Sequence, residues 1–157
     1  MCAGYDARTK VNPPLRTKDD VEAVKAGFAD GTLDCIATDH APHHRDEKNI
    51  EFALAKSGIS GFETAFSLAV TNLTDDPEKL AKLFSVNPAK IVGKQSGVIE
   101  EGAAADITIA DMSAEYTLRE EDIISKGKNT PFIGRTLKGV VTHTIVDGRV
   151  VFDGEIV

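Results

Sequence analysis

The sequence lacks the features of several classes of protein. Only two cysteines occur among its 157 residues, Cys2 and Cys35, so it has no disulfide framework and is typical of the reducing cytoplasm. It contains no run of about 18 apolar residues and no charged-then-apolar leader, so we expect no membrane association. The net charge is -7 and lysines and arginines form no cluster, which argues against nucleic acid or an anionic membrane as a partner.

The length limits the fold as well. With 41% hydrophobic residues the chain can form one ordinary core, whereas a complete (β/α)₈ barrel typically needs roughly 250 residues. Thr17 and Asp20 have the spacing of a capping box and predict a helix that Gly31 ends. The apolar run that follows predicts a buried strand over 33–38, and such a helix-strand unit is typical of a parallel sheet or barrel.

The rest of the chain changes from helical to strand-like patterns. A long polar loop over 40–60 precedes apolar residues at helical spacing between 62 and 73. Asp75-Asp76-Pro77 predicts the start of the next helix, and Asn87-Pro88 predicts the cap and first position of another. Asp147-Gly148 predicts a type I′ hairpin. We therefore expect an α/β domain over 1–96 and a small β module over 97–157.

The residues most indicative of chemistry follow the predicted strand at 33–38. Asp39 stands at its carboxyl end, and three of the four histidines of the chain come next, at His40, His43 and His44. A carboxylate at a strand end with imidazoles in the adjoining loop is how an α/β barrel builds a hydrolytic metal site. The alternative is a solvated polar loop, and the charged Asp46-Glu47-Lys48 is by default a surface turn.

Several motifs occur in an order that points to one family. They are Val11-Asn12-Pro13-Pro14-Leu15-Arg16, Thr38-Asp39-His40-Ala41-Pro42-His43, Asp46-Glu47-Lys48, Gly61-Phe62-Glu63-Thr64-Ala65, Asn87-Pro88-Ala89-Lys90, Lys128-Asn129-Thr130-Pro131-Phe132 and Val146-Asp147-Gly148. Together they resemble the closing third of the dihydroorotase family of the amidohydrolase superfamily. The resemblance implies the end of a (β/α)₈ barrel plus part of a β-sandwich.

The resemblance also implies an activity and a site. The activity is the reversible conversion of L-dihydroorotate to N-carbamoyl-L-aspartate in pyrimidine biosynthesis, with one or two zinc ions. Asp39 matches a metal ligand and proton shuttle, whereas Asn12, His43 and the backbone at Ser57-Gly58 match substrate-binding positions. We expect His40 to support the site without binding the metal.

One departure from the family pattern leaves alternatives open. The His-x-His of the family and its other metal ligands do not occur in this sequence, so we expect the chain alone to be inactive. Another cyclic amidase, such as an allantoinase or hydantoinase, is one alternative. A non-catalytic dihydroorotase-like partner of aspartate transcarbamoylase is another. For the full-length protein we expect a homodimer.

Overall fold

The computed structural model describes residues 4–94 and 96–154. Their contacts form two compact units, each built from separate stretches of chain. Unit 1 comprises Met1–Leu33, Thr38–Ala65 and Thr117–Thr136, and unit 2 comprises Asp34–Ala37, Phe66–Tyr116 and Leu137–Val157. The helices are α1 (Lys18–Asp30), α2 (Arg45–Lys48), α3 (Ala65–Asn72), α4 (Pro77–Ala81) and α5 (Asn87–Ile91), and the strands are β1 (Ile107–Thr117), β2 (Thr136–Val146) and β3 (Arg149–Phe152).

The predicted helix α1 is confirmed together with its two ends. The Thr17 hydroxyl accepts from the Asp20 amide, and the Asp20 carboxylate accepts from the Thr17 amide, which completes the capping box. Gly31 ends the helix with φ at 84°, in the left-handed region that glycine adopts without strain. Val21 and Val24 are 47% and 49% exposed, so within the described residues this helix buries no apolar face.

The predicted buried strand over 33–38 is wrong. Among the described residues this stretch joins no β-ladder, and the first regular pairing is an isolated parallel bridge between His40 and Ile59. Leu33 is exposed, and the Ile36 amide donates to the carbonyl of Leu83. A strand exists only where a neighbouring strand accepts its hydrogen bonds, and the apolar pattern at 33–37 cannot supply that neighbour.

The region predicted as a long polar loop, 40–60, belongs to unit 1 and contains both a short helix and buried residues. It contains the short helix α2, and Lys48 at the end of that helix is only 5% exposed. The default interpretation of Asp46-Glu47-Lys48 as a surface turn is therefore wrong for Lys48. The apolar part of unit 1 is small, and its most buried side chains are Leu118, Ile123 and Ala55.

In unit 2 the helices form the core. Ala69, Val70 and Leu80 are buried together, and partly buried apolar side chains pack on them: Ile36, Phe66, Phe84 and Met112. The predicted start of α4 is confirmed, because the Asp76 carboxylate caps the amides of Glu78 and Lys79.

The predicted cap at Asn87 is wrong. The chain runs from α4 through a π-helical turn, Lys82–Val86, directly into α5. Asn87 therefore has helical backbone angles, φ -71° and ψ -45°. A residue inside a continuous helical run has no free helix end to cap, and its side chain donates to the carbonyl of Asp34 instead.

The strands form a three-stranded sheet in the order β1-β2-β3. β2 and β3 pair antiparallel, with Val146 opposite Arg149. Asp147 and Gly148 between them have φ of 49° and 76°, both positive as a type I′ turn requires, so the predicted hairpin is confirmed. None of the helices within 4–94 and 96–154 has the length and apolar character needed to cross a bilayer.

Candidate functional site

The Asp39 carboxylate is accessible. Its backbone has φ at 45°, in the left-handed region, and the residue is exposed immediately before the bridge at His40. The carboxylate makes no hydrogen bond or ion pair with any residue that the structure describes. Asp39 therefore presents an exposed carboxylate that has no partner among the described residues.

His43 lies against the Ser57-Gly58 segment. Its Nε2 is 2.9 Å from the carbonyl oxygen of Ser57. A carbonyl only accepts hydrogen bonds, so Nε2 carries the proton and a neutral His43 has Nδ1 as its acceptor. The Glu47 carboxylate is 3.7 Å from Nδ1, and the backbone amide of His43 donates to Asn129 Oδ1 over 2.8 Å. His43 and Ser57, two of the substrate-binding positions predicted from the sequence, are thus in direct contact.

Gly58 is held by hydrogen bonds at both its backbone amide and its backbone carbonyl. Its amide donates to the carbonyl of Lys10 at 2.9 Å, and its carbonyl accepts from Lys48 Nζ and Asn129 Nδ2, each at 3.1 Å. Its φ is 143°, and a Cβ added there would lie 2.9 Å from His43 Nε2. Only glycine fits this position without displacing the imidazole.

Asn12 lies two residues after Lys10, whose carbonyl accepts the hydrogen bond from the Gly58 amide. Its side chain is exposed. Within the described stretches no hydrogen bond joins it to Asp39, His43 or Ser57. Among the described residues, the segment of Asn12 is therefore connected to the His43 loop without a hydrogen bond of the Asn12 side chain.

His40 is held as an acceptor at Nδ1. The amides of Gly61 and Phe62 donate to this nitrogen over 3.0 and 3.2 Å, and the ring stacks on Phe62 with 3.9 Å between centroids. A neutral His40 therefore carries its proton on Nε2, which lies 3.5 Å from the Ser125 hydroxyl. One ring nitrogen of His40 is thus occupied by the backbone at 61–62.

Ser125 connects His40 to a carboxylate that the sequence did not indicate. Its hydroxyl and its amide both donate to Glu63 Oε1, at 2.6 and 2.7 Å. Burial by itself would raise the pKa of Glu63, but these hydrogen bonds outweigh it and leave the pKa below its ordinary value. Glu63 is therefore an anion that fixes Ser125 behind His40.

Lys48 and Asn129 are two further residues of the site that sequence reasoning missed. Each is only 5% exposed. Burial lowers the pKa of the Lys48 ammonium below its ordinary value, and the charge of nearby Lys10 lowers it further. Both residues lie in the motifs that carry the family resemblance, and this was the only signal in the sequence that could have drawn attention to them.

A cavity of about 290 Å³ opens beside these residues within unit 1. Its lining is Arg8, His43, Arg45, Lys48, Asn49, Glu120, Lys128, Asn129 and Ile133. The cations are already engaged, because Arg8 pairs with Asp6 at 2.7 Å and Lys128 donates to two backbone carbonyls. The cavity is thus lined by cations that already have partners.

The described residues do not fit a complete metal site. Across 4–94 and 96–154, no three His, Cys, Asp or Glu side chains are placed to hold one ion together. A catalytic zinc typically has about three protein ligands. Asp39, with its free carboxylate, can supply one of them.

Comparison with known proteins identifies the family. The sequence model of the amidohydrolase family matches residues 9–151. The chain belongs to the amidohydrolase family, and the resemblance seen in the motifs is confirmed. It is 53% identical over 155 residues to the dihydroorotase of Endomicrobium trichonymphae and 50% identical over 154 residues to that of Acetivibrio thermocellus. These matches cover 95% and 96% of this chain, which spans 36% of the length of each relative.

Solved structures show the same fold. The L-hydantoinase (dihydropyrimidinase) of Arthrobacter aurescens matches 99% of this chain with a TM-score of 0.91 and 26% identity, over 37% of its own length. The D-hydantoinase of Bacillus sp. AR9 matches 96% of this chain and 35% of its own length, with a TM-score of 0.81 and 24% identity. The mixed helix and strand structure is thus that of an amidohydrolase segment.

Proposed function

We propose that this chain is the substrate-binding and proton-transferring part of a dihydroorotase, which interconverts L-dihydroorotate and N-carbamoyl-L-aspartate in pyrimidine biosynthesis. One observation favours a dihydroorotase over the other cyclic amidases. The chain is 53% identical to a dihydroorotase, whereas it is only 20–26% identical to the matching hydantoinases of known structure.

The proposed architecture follows the family. Residues 1–96 form the last part of a (β/α)₈ barrel, and residues 97–157 contribute to a β-sandwich. In a barrel the segment at 33–38 gains the neighbouring strands that it lacks among the described residues, and Asp39 stands at its carboxyl end, where barrel enzymes place catalytic residues.

Each proposed role rests on the chemistry of one group. Opening a cyclic amide requires the attacking water to lose a proton and the departing nitrogen to gain one, so a single group can carry this proton from one to the other. The accessible Asp39 carboxylate is suited to carry it. His43 and Asn12 bind the substrate, and the Ser57 carbonyl fixes the orientation of the His43 ring through Nε2. The backbone at Ser57-Gly58 contacts the ring beside them.

The remaining proposals concern the whole protein. Amidohydrolases are generally metal-dependent. We propose that Asp39 is one ligand of a site for one or two zinc ions, with the other ligands supplied from outside this chain. The full-length protein acts on a small molecule in the cytoplasm as a homodimer, and aspartate transcarbamoylase is a candidate partner.

A chimera tests the proposed activity. In it, this chain replaces the matching segment of the Endomicrobium trichonymphae dihydroorotase, so the remaining two thirds come from a close relative. We expect the chimera to hydrolyse dihydroorotate in preference to hydantoin and allantoin. Preference for hydantoin or allantoin would identify another cyclic amidase. A folded, zinc-loaded chimera without any turnover would favour the non-catalytic alternative.

A further inference from the structure

Two buried polar side chains, Lys48 and Asn129, join the segments that carry the proposed substrate-binding residues. We propose that Asn129 and Lys48 are positioning residues, which fix His43 and the Ser57-Gly58 backbone in the arrangement that binds substrate. This inference rests on the proposed function, because that function makes His43 and Ser57-Gly58 substrate-binding groups.

Asn129 engages both the oxygen and the nitrogen of its side-chain amide. Its Oδ1 accepts from the His43 amide at 2.8 Å and lies 3.0 Å from the Ser60 hydroxyl. Its Nδ2 donates to the carbonyls of Ala41 and Gly58, at 3.0 and 3.1 Å. No smaller or singly functional side chain offers two donors and an acceptor at one point. Asn129 therefore fixes the distance between the His43 segment and Gly58.

Lys48 contributes a second link in the same place. Its ammonium donates to the carbonyls of Lys56 at 2.8 Å, Gly58 at 3.1 Å and Lys10 at 3.5 Å. Burial of an ammonium is costly unless hydrogen bonds compensate it, and three carbonyls match its three donors. Lys10 is two residues before Asn12, so this contact also ties the Asn12 segment to the loop.

Gly127 provides independent evidence that the chain is fitted closely around His43. A Cβ at Gly127 would lie 2.7 Å from both the backbone nitrogen and the backbone oxygen of His43. These are backbone atoms, so an added methyl group has to displace the His43 segment itself. The stretch that carries Asn129 therefore packs directly on the His43 backbone.

The test uses variants of the chimera with matched controls. Asn129→Asp and Lys48→Met remove the donors without a large change in shape. Asn72→Asp and Lys56→Met make the same chemical changes at exposed side chains that do not line the cavity. Gly127→Ala moves the His43 backbone and leaves both polar side chains intact. For each we measure KM and kcat for dihydroorotate, zinc content, and hydrogen exchange of peptides covering 39–44 and 56–61.

We expect the three test variants to raise KM about 10- to 100-fold, because a displacement of about 1 Å in a positioning group has effects of this size. We also expect kcat to stay within about threefold of the unsubstituted chimera, the zinc content to stay full, and hydrogen exchange to become faster in both peptides. The control variants should match the unsubstituted chimera in all of these measurements. Folded variants with unchanged KM would overturn the proposal, as would loss of zinc or a fall in kcat alone.

The exchange measurement separates this proposal from the proposed function. If the unsubstituted chimera fails to hydrolyse dihydroorotate, the proposed function fails. Exchange in the two peptides still decides whether Asn129 and Lys48 hold the loop, and rates equal to those of the controls would overturn their positioning role. Faster exchange confined to these peptides would support it.

Discussion

Replacement of Asp39 by Asn should reduce catalysis far more than stability. Asp39 is exposed, and it makes no bond with the described residues that the substitution could break. Its φ of 45° is one that Asn adopts as readily as Asp. We therefore expect the free energy of unfolding to change by no more than about 0.5 kcal/mol, as at other exposed positions.

The effect on the reaction should be larger. A general acid or base typically contributes about 10²–10⁴-fold to the rate, which corresponds to about 2.7–5.4 kcal/mol in the activation free energy. The amide of Asn keeps the shape of the carboxylate but has no charge and cannot carry the proton. The predicted cost to catalysis thus exceeds the predicted cost to stability by at least about fivefold.

Two assays check this prediction. Thermal unfolding of the metal-free chimera and its variants, followed by circular dichroism, gives stability without the contribution of the zinc site, and initial rates of dihydroorotate hydrolysis by the zinc-loaded proteins give kcat. Asp39→Ala is the control for the backbone, because Ala in the left-handed region costs roughly 1–2 kcal/mol and Asn does not. Turnover by the Asn variant within a few-fold of the unsubstituted chimera would refute the role assigned to Asp39, and a large loss of stability would show it to be structural.

Three further outcomes are expected. His43→Ala in the chimera should raise KM and leave the zinc content intact, and loss of zinc with little change in KM would make His43 a metal ligand. The isolated 157-residue chain should not hydrolyse dihydroorotate even with added zinc, since its described residues hold no group of three ligands, and chelator-sensitive turnover would contradict this. Ser125→Ala should shift acid unfolding of the chain to higher pH, measured by circular dichroism. The low pKa of Glu63 contributes stability above its unfolded pKa that is lost as pH falls through the folded pKa, and the variant raises that folded pKa. In a Glu63→Gln background the shift should disappear, and its persistence there would assign it to another group.

The elements that could be predicted from the sequence are those determined by neighbouring residues. The capping box at Thr17 and Asp20 and the hairpin at Asp147-Gly148 depend on contacts a few residues apart, and both are confirmed. The strand at 33–38 depends on pairing with other strands, which the apolar pattern does not specify, and that prediction was wrong.

The site divides in the same way. The identity of candidate groups such as Asp39 and His43 could be predicted, because carboxylates and imidazoles after an apolar run are visible in the sequence. The burial of Asn129 could not, since its partners in the fold lie 71, 86 and 88 residues earlier in the chain. Lys48 is likewise buried by carbonyls of segments on both sides of it, and a lysine in a charged motif gives no sign of this.

The rate of dihydroorotate hydrolysis by the chimera tests the central claim most directly. If this chain supplies the proton carrier and the substrate-binding loop of a dihydroorotase, kcat/KM should lie within about tenfold of the Endomicrobium trichonymphae enzyme, a difference of no more than about 1.4 kcal/mol in transition-state stabilisation. A folded chimera that binds zinc and shows no dihydroorotate turnover would contradict it.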